Sequence, residues 1–235
     1  MPSTITAMKN STLARFAAAA AAVTLIGILL VDRPIANWVH GSGIEGLSFF
    51  SKGTEWLDLI CGREVSKYLL GGVIGGVGLV CLARRTLRRS GVGCFFVAVT
   101  LTVSVLLTGT LKNVFGRLRP HELFEKNLDG SVWFAKGSSF PSGHSAYYFG
   151  LFLPLAYLFP KWRWPLLIVP FFIAAARINE GHHFLSDVTG SMVLVSCFAL
   201  IFATALGRWL RFQPGTSDVL QGGDDVGSGG EARRA

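Results

Sequence analysis

Three short polar clusters interrupt a chain that is otherwise strongly apolar. They read KNVFGRLRP at 112–120, PSGH at 141–144 and ARINEGHHFLSD at 176–187. Together they hold basic side chains, histidines, a serine and an aspartate. Arginine grips tetrahedral oxyanions with its forked guanidinium, and lysine adds a point charge. Histidine can act as acid, base or nucleophile near neutral pH. These residue types favour chemistry on a phosphate-like anion.

The first cluster predicts a cationic helix end. Lys112 and Arg119 are seven residues apart, which is two helical turns, so on one helix they share a face. Pro120 is then expected to end that helix. A basic side chain at the end of a membrane span also reaches for lipid headgroups, and this alternative remains open for Lys112.

The second cluster predicts a helix N-terminus that attracts an anion. Ser142 is a natural N-cap, and Gly143 allows close backbone approach. The free N–H groups that follow attract negative charge. Two simpler interpretations remain: Ser142 acts only as a cap, and His144 is an ordinary interfacial histidine.

The third cluster predicts an oriented histidine. His183 and Asp187 are four residues apart, the spacing of neighbours on one helical face. A carboxylate that accepts from one ring nitrogen fixes the tautomer and leaves the other nitrogen as a nucleophile. Arg177 lies at the end of an apolar segment, where an ionisable residue is costly unless it is paired or functional. Each residue alone could be a headgroup contact.

The elements that must position these clusters are membrane helices. The chain is 51% hydrophobic and 15% charged, with a mean hydropathy of +0.48, whereas soluble domains carry about 25% charged residues. The sequence predicts an all-α bundle of six transmembrane helices over residues 16–211. The six apolar segments are 16–31, 68–83, 91–111, 145–160, 164–176 and 188–207.

The basic residues predict the orientation of these spans. Loop 84–89 between the second and third spans contains four arginines, which places it in the cytoplasm. By alternation the N-terminus (residues 1–15) and the C-terminal tail are cytoplasmic too. Loops 32–67, 112–144 and 177–187 then face the opposite side. The three polar clusters therefore share one face, although they played no part in the assignment.

The two ends of the chain invite separate predictions. Lys9 and Arg15 precede the first apolar segment, as in a signal peptide, but VDRPIA at 31–36 offers no convincing cleavage site. An uncleaved anchor is the favoured interpretation. The tail 212–235 is rich in glycine, serine and charge and is predicted to be disordered.

Composition argues against several classes of partner and cofactor. The net charge of +8 alone would allow nucleic-acid binding. However, the sequence lacks the stripe of basic and aromatic residues that such binding uses, so nucleic acid is disfavoured as a partner. The four cysteines, at 61, 81, 94 and 197, form neither a disulfide framework nor a CxxC metal pattern. No carboxylate cluster offers Mg²⁺ a site. We therefore expect no metal and no nucleic acid, and a bilayer as a partner; the oligomeric state stays open.

The clusters resemble the signature of the type-2 phosphatidic acid phosphatase superfamily, membrane lipid phosphatases related to vanadium haloperoxidases. Its pattern is KxxxxxxRP, then PSGH, then SRxxxxxHxxxD. The resemblance covers residues from about 68 to 207. The motif serine is replaced by Ala176, which should cost a hydrogen bond to phosphate but not the reaction. The spacing selects His183 rather than its neighbour His182.

The resemblance implies a metal-independent phosphoric ester hydrolase that needs no cofactor and has a phosphorylated membrane lipid as its partner. His183 is expected to attack phosphorus and form a phosphohistidine, Asp187 to orient it, and His144 to protonate the leaving oxygen and then activate water. The phosphate is expected to be bound by residues from all three clusters: Lys112, Arg119, Ser142, Gly143 and Arg177.

The substrate and the activity itself leave alternatives open. The segment GHHFLSD at 181–187 resembles the corresponding segment of bacterial lipid A phosphatases, so lipid A is the favoured substrate. Those enzymes lie in the inner membrane with the active site facing the periplasm, and the same location is expected here. Phosphatidylglycerophosphate, phosphatidic acid and undecaprenyl pyrophosphate are the alternatives. A vanadate haloperoxidase is disfavoured because those enzymes are soluble. A non-catalytic phosphate-lipid binding protein is disfavoured because His144, His183 and Asp187 are all present.

Overall fold

A computed structural model describes residues 10–126 and 130–211, and these residues form helices, turns and loops without a strand. Residues 1–9 and the predicted disordered tail 212–235 lie outside the described ranges. The α-helices are α1 (Asn10–Ile26), α2 (Asp32–Gly41), α3 (Ser48–Ile60), α4 (Leu69–Ala83), α5 (Arg88–Phe115), α6 (Pro120–Glu125), α7 (Gly143–Leu158), α8 (Arg163–Asn179) and α9 (Leu185–Arg211). A π-helical turn, Gly27–Val31, joins α1 to α2.

The all-α prediction is confirmed, and each of the six predicted apolar segments coincides with a helix. Three helical stretches of the described chain are long and apolar enough to cross a membrane: Asn10–Gly41, Arg85–Glu125 and Leu185–Ala205. The apolar helix α4 is shorter, with 15 residues. The count of six spans and the cytoplasmic position of both termini remain predictions.

Helix α7 lies at the centre of the bundle. Tyr147, Tyr148 and Phe149 in its first half are fully buried, and it packs against α5, α8 and α9. A Cβ atom at Gly150 would come within 3.1 Å of the Leu101 Cα, so the glycine allows α5 and α7 to approach closely. The second polar cluster therefore lies at the N-terminus of the central, largely buried helix α7.

The segment 32–67 differs from the predicted outward loop, because it contains α2 and α3. Helix α3 has an apolar side: the rings of Phe49 and Phe50 each lie 5.5 Å from the ring of Phe172 in α8. Asp32, at the start of α2, is only 4% exposed. This segment folds onto the bundle because aromatic packing and a buried carboxylate attach it there.

Candidate active site

The ends of four helices bring the predicted site residues to one end of the bundle. Lys112 lies in the last turn of α5, Ser142 is the N-cap of α7, and Arg177 lies in the last turn of α8. Contacts join the clusters: the Ser142 N–H donates to the Asp187 carbonyl at 3.0 Å, and Arg117 Nη1 donates to Asp187 Oδ1 at 2.6 Å. The polar clusters thus form one composite site.

The predicted helix over 112–120 is wrong. Helix α5 ends at Phe115, because Gly116 takes the left-handed conformation (φ 51°) that favours glycine and stops the helix. Arg119 is the N-cap of α6, and Pro120 begins that helix instead of ending one. Lys112 and Arg119 therefore share no helical face. They are brought together by the loop that follows, since Lys112 donates to the Ser138 carbonyl and Arg119 Nη2 to Ser138 Oγ at 3.3 Å.

The capping role of Ser142 is as predicted. Its hydroxyl accepts from the Ser145 N–H at 3.4 Å, and α7 begins at Gly143. Ser142 is fully buried. The Lys112 side chain passes close by, because a Cβ atom at Gly143 would lie 3.8 Å from Lys112 Cε. A cation and a helix N-terminus therefore meet at this point, as anion binding requires.

His183 and Asp187 are close, but not through a shared helical face. His183 precedes α9, whereas Asp187 lies in its first turn and accepts from the Phe184 N–H at 2.8 Å. His183 Nδ1 is 3.5 Å from Asp187 Oδ2. The hydroxyl of Ser139 lies between them, 3.4 Å from Nδ1, and donates to the carboxylate at 2.5 Å. His183 and Asp187 are therefore brought together by the turn that precedes α9 and not by their spacing along a helix.

Burial keeps His183 uncharged. The residue is 4% exposed, and burial lowers its pKa to about 3, although the hydrogen bond and charge of Asp187 work to raise it. The ring is therefore neutral at physiological pH. With Nδ1 towards Asp187 and Ser139, Nε2 is the nitrogen that remains for attack.

Arg117 was missed by the sequence reasoning, although it lies within the first cluster. It is 2% exposed. Its Nη1 donates to Asp187 Oδ1 at 2.6 Å and to Ser186 Oγ at 2.7 Å, and its Nη2 donates to Asp32 Oδ2 at 2.7 Å. The guanidinium lies between carboxylates from α2 and α9. Arg117 is a third basic residue within the nine residues of that cluster, but the sequence did not indicate that its side chain points inward.

Two further missed residues contact His144. His144 Nε2 lies 3.1 Å from Asp58 Oδ2 and 2.7 Å from Arg63 Nη1. Asp58 belongs to α3, and Arg63 to the turn that follows it. Nothing in the residue pattern of 32–67 indicated that this segment reaches the site.

Arg177 is held by two neighbours in sequence. Its Nη1 donates to Glu180 Oε2 at 2.5 Å, and its Nη2 lies 2.6 Å from His182 Nδ1. His182 is therefore occupied with Arg177 and Glu180, while His183 faces Asp187. The two adjacent histidines thus have different partners, and the choice of His183 as the reacting one remains a prediction.

Metal binding has no candidate in the described part of the chain. Within 10–126 and 130–211, no group of three or more histidine, cysteine, aspartate or glutamate side chains is arranged to hold a metal ion. Metal-independent chemistry remains a prediction.

Comparison with known proteins assigns the chain to a family. The PAP2 superfamily matches residues 93–211, about half of the chain. The chain belongs to the PAP2 superfamily. It is therefore a phosphatase, and its long apolar helices make it a membrane protein. The matched region contains every site residue predicted from the motifs, whereas Asp32, Asp58 and Arg63 lie outside it.

Two curated relatives are named Lipid A 1-phosphatase. The protein from Rhizobium etli is 28% identical over 192 residues, which cover 78% of this chain and 80% of the relative. The protein from Rhizobium johnstonii is 31% identical over 112 residues, 46% of each chain. No solved structure gives a significant match.

Proposed function

We propose that this PAP2 phosphatase hydrolyses the phosphate of a membrane lipid, with lipid A as the favoured substrate, through a phosphohistidine intermediate. The observation that carries the proposal is a buried, neutral His183 beside Asp187 in a cluster of cations. The names of the relatives support lipid A. Phosphatidylglycerophosphate, phosphatidic acid and undecaprenyl pyrophosphate remain the alternatives.

The first chemical step transfers phosphoryl to His183. Its Nε2 attacks phosphorus, while Asp187 and Ser139 hold Nδ1 and fix the ring. The bond between phosphorus and the leaving oxygen breaks, and His144 gives that oxygen a proton. In the second step His144 takes a proton from water, the resulting hydroxide attacks phosphorus, the bond from phosphorus to His183 Nε2 breaks, and phosphate leaves.

The phosphate is bound by charge and by the start of α7. Lys112, Arg119 and Arg177 supply the cations, and Ser142 and the Gly143 amide supply the helix N-terminus. Such groups stabilise the charge of the phosphoryl oxygens in the transition state, and positioning provides most of the remaining rate enhancement. No step calls on a metal or a cofactor.

The bilayer arrangement belongs to the same proposal. We infer that six helices cross a bacterial inner membrane and that the site faces the periplasm. The arginines at 84–89 support this orientation because such loops remain in the cytoplasm. A membrane-impermeant thiol reagent applied to spheroplasts should label a cysteine placed at Ser131 but not one placed at Arg85. The reverse labelling would overturn the orientation.

The function is tested by phosphate release in the presence of EDTA. Purified protein is offered lipid A and the three alternative lipids, with His183→Ala and, as a matched surface histidine, His40→Ala, whose side chain is 52% exposed. We expect release from lipid A, lost by about 10⁴-fold or more in His183→Ala and retained in His40→Ala. An alkaline quench with ³²P-labelled lipid should trap labelled wild-type protein but not labelled His183→Ala.

Three results would contradict parts of this proposal. Near-normal turnover by His183→Ala would overturn the nucleophile. Inhibition by EDTA that a divalent ion reverses would overturn the metal-free mechanism. Saturable lipid binding by folded protein without phosphate release from any lipid would favour a binding protein.

A further inference from the structure

The end of α3 and the turn after it lie directly against the proposed acid–base histidine. This segment, residues 58–63, lies outside the part of the chain that matches the PAP2 superfamily. Asp58 approaches His144 from 86 residues away in sequence. One side of the site is therefore formed by residues that do not belong to the family motifs.

The segment 58–63 is firmly attached to α7. The Tyr148 hydroxyl donates to Asp58 Oδ1 at 2.8 Å, and the Tyr147 hydroxyl donates to the Cys61 carbonyl at 2.8 Å. Both tyrosines are fully buried. Because Oδ1 of Asp58 is taken by Tyr148, its Oδ2 is fixed in the direction of His144.

Nε2 of His144 has a partner in either protonation state. When this nitrogen carries a proton, it can donate to Asp58 Oδ2 at 3.1 Å. When it carries none, it can accept from Arg63 Nη1 at 2.7 Å, because a guanidinium always donates. Asp58 and Arg63 are themselves paired at 3.1 Å. While the Nε2 proton is held by Asp58, the ring can give up and recover a proton at Nδ1 and keep its orientation.

We propose that Asp58, held by Tyr148 and paired with Arg63, is a positioning residue that orients His144 and favours its protonated form. With Nε2 donating to Asp58, Nδ1 is the nitrogen that delivers the proton to the leaving oxygen. Burial, together with the charges of Arg177 and Arg63, lowers the pKa of His144 to about 4, and the hydrogen bond and charge of Asp58 oppose this shift. The inference rests on the acid–base role given to His144 under Proposed function.

The test separates proton delivery from all other steps. The substrate is the lipid phosphate hydrolysed fastest in the panel, together with its analogue in which sulfur replaces the bridging oxygen. A thiolate is a weak base that leaves without a proton, so the sulfur ester needs no general acid. The measured quantity is kcat/KM, which reports the steps up to release of the lipid.

Asp58→Asn keeps an oxygen for Tyr148 and removes only the charge. We expect it to lower kcat/KM for the oxygen ester about tenfold or more and to change that for the sulfur ester by less than about twofold. His144→Ala should show the same selectivity, with a loss of about 10²- to 10⁴-fold. Asp58→Glu should recover part of the rate. Glu55→Gln, a matched change at an exposed position of α3, should resemble wild type.

The outcomes are distinguishable. Equal losses on both esters in Asp58→Asn, or no loss on either, would overturn the positioning role. If His144→Ala slows both esters alike, the acid assignment of the proposed function is wrong and this inference falls with it. Turnover of the sulfur ester shows that the variant is folded. If Asp58→Asn does not fold, Tyr148→Phe should give a weaker form of the same selectivity, and equal losses there would overturn the proposal.

Discussion

The two carboxylate–histidine pairs of the site are built in opposite ways. The side chains of Asp187 and His183 are 0% and 4% exposed, whereas those of Asp58 and His144 are 15% and 19% exposed. Asp187 accepts from Arg117, Ser139 and the Phe184 N–H at distances of 2.5 to 2.8 Å. Asp58 has Tyr148, Arg63 and His144 around it.

This difference matches the work that we assign to each pair. A nucleophile must be held in one direction with its lone pair free, and burial with many hydrogen bonds achieves both. An acid–base residue must deliver a proton and recover one from water, so it needs partial access to solvent. Both residues of the buried pair, Asp187 and His183, lie in the region matched to the PAP2 superfamily. In the more open pair, His144 lies in that region, but its carboxylate partner Asp58 belongs to α3.

The largest expected difference between the pairs is in turnover. Asp187→Asn should lower kcat by about 10⁴-fold, because an amide in place of a buried carboxylate disturbs the tautomer and orientation of the histidine that it holds. Asp58→Asn should cost far less on the same lipid. Phosphate release by the two variants, measured side by side, checks this order. Equal losses would show that burial does not separate the two carboxylates.

The second difference concerns stability. Arg117→Gln removes the cation between Asp32 and Asp187 and leaves two buried carboxylates without a charge partner. We expect the free energy of unfolding to fall by about 3–5 kcal/mol. Arg63→Gln, the matched change beside the open pair, should cost about 1 kcal/mol or less because its ion pair is partly solvated.

Denaturant titration in mixed micelles measures both arginine variants. Adding Asp32→Asn to Arg117→Gln should recover part of the loss, since it removes one of the two unpaired carboxylates. If Arg117→Gln is no less stable than Arg63→Gln, the buried network does not stabilise the fold.

The helices and the cap of α7 could be predicted because their signals are local. Apolar runs of the right length predicted the helical segments, and a serine before a glycine predicted the cap of α7 at Ser142. The end of α5 was missed because Gly116 was not weighed against Pro120 as the stop signal. Both are helix-terminating residues, and the glycine comes first in the chain.

The supporting residues could not be predicted because their partners are distant. Arg117 lies beside Arg119 in the first cluster, but its partner Asp32 is 85 residues away in the sequence. Helix α3 has a mixed pattern, and its apolar side is recognisable only where Phe50 meets Phe172. Sequence motifs therefore located the groups proposed to touch phosphate, while the groups that orient them depend on tertiary contacts.

The smallest expected effect comes from restoring the motif serine. Ala176 is fully buried in α8, next to Arg177. In Ala176→Ser the added hydroxyl can hydrogen-bond to the carbonyl four residues earlier, so stability should change by less than about 1 kcal/mol. Turnover should persist, with a lower KM if the hydroxyl reaches the phosphate. Michaelis–Menten analysis on the preferred lipid measures this. Complete inactivation would show that the third cluster is built differently around Arg177.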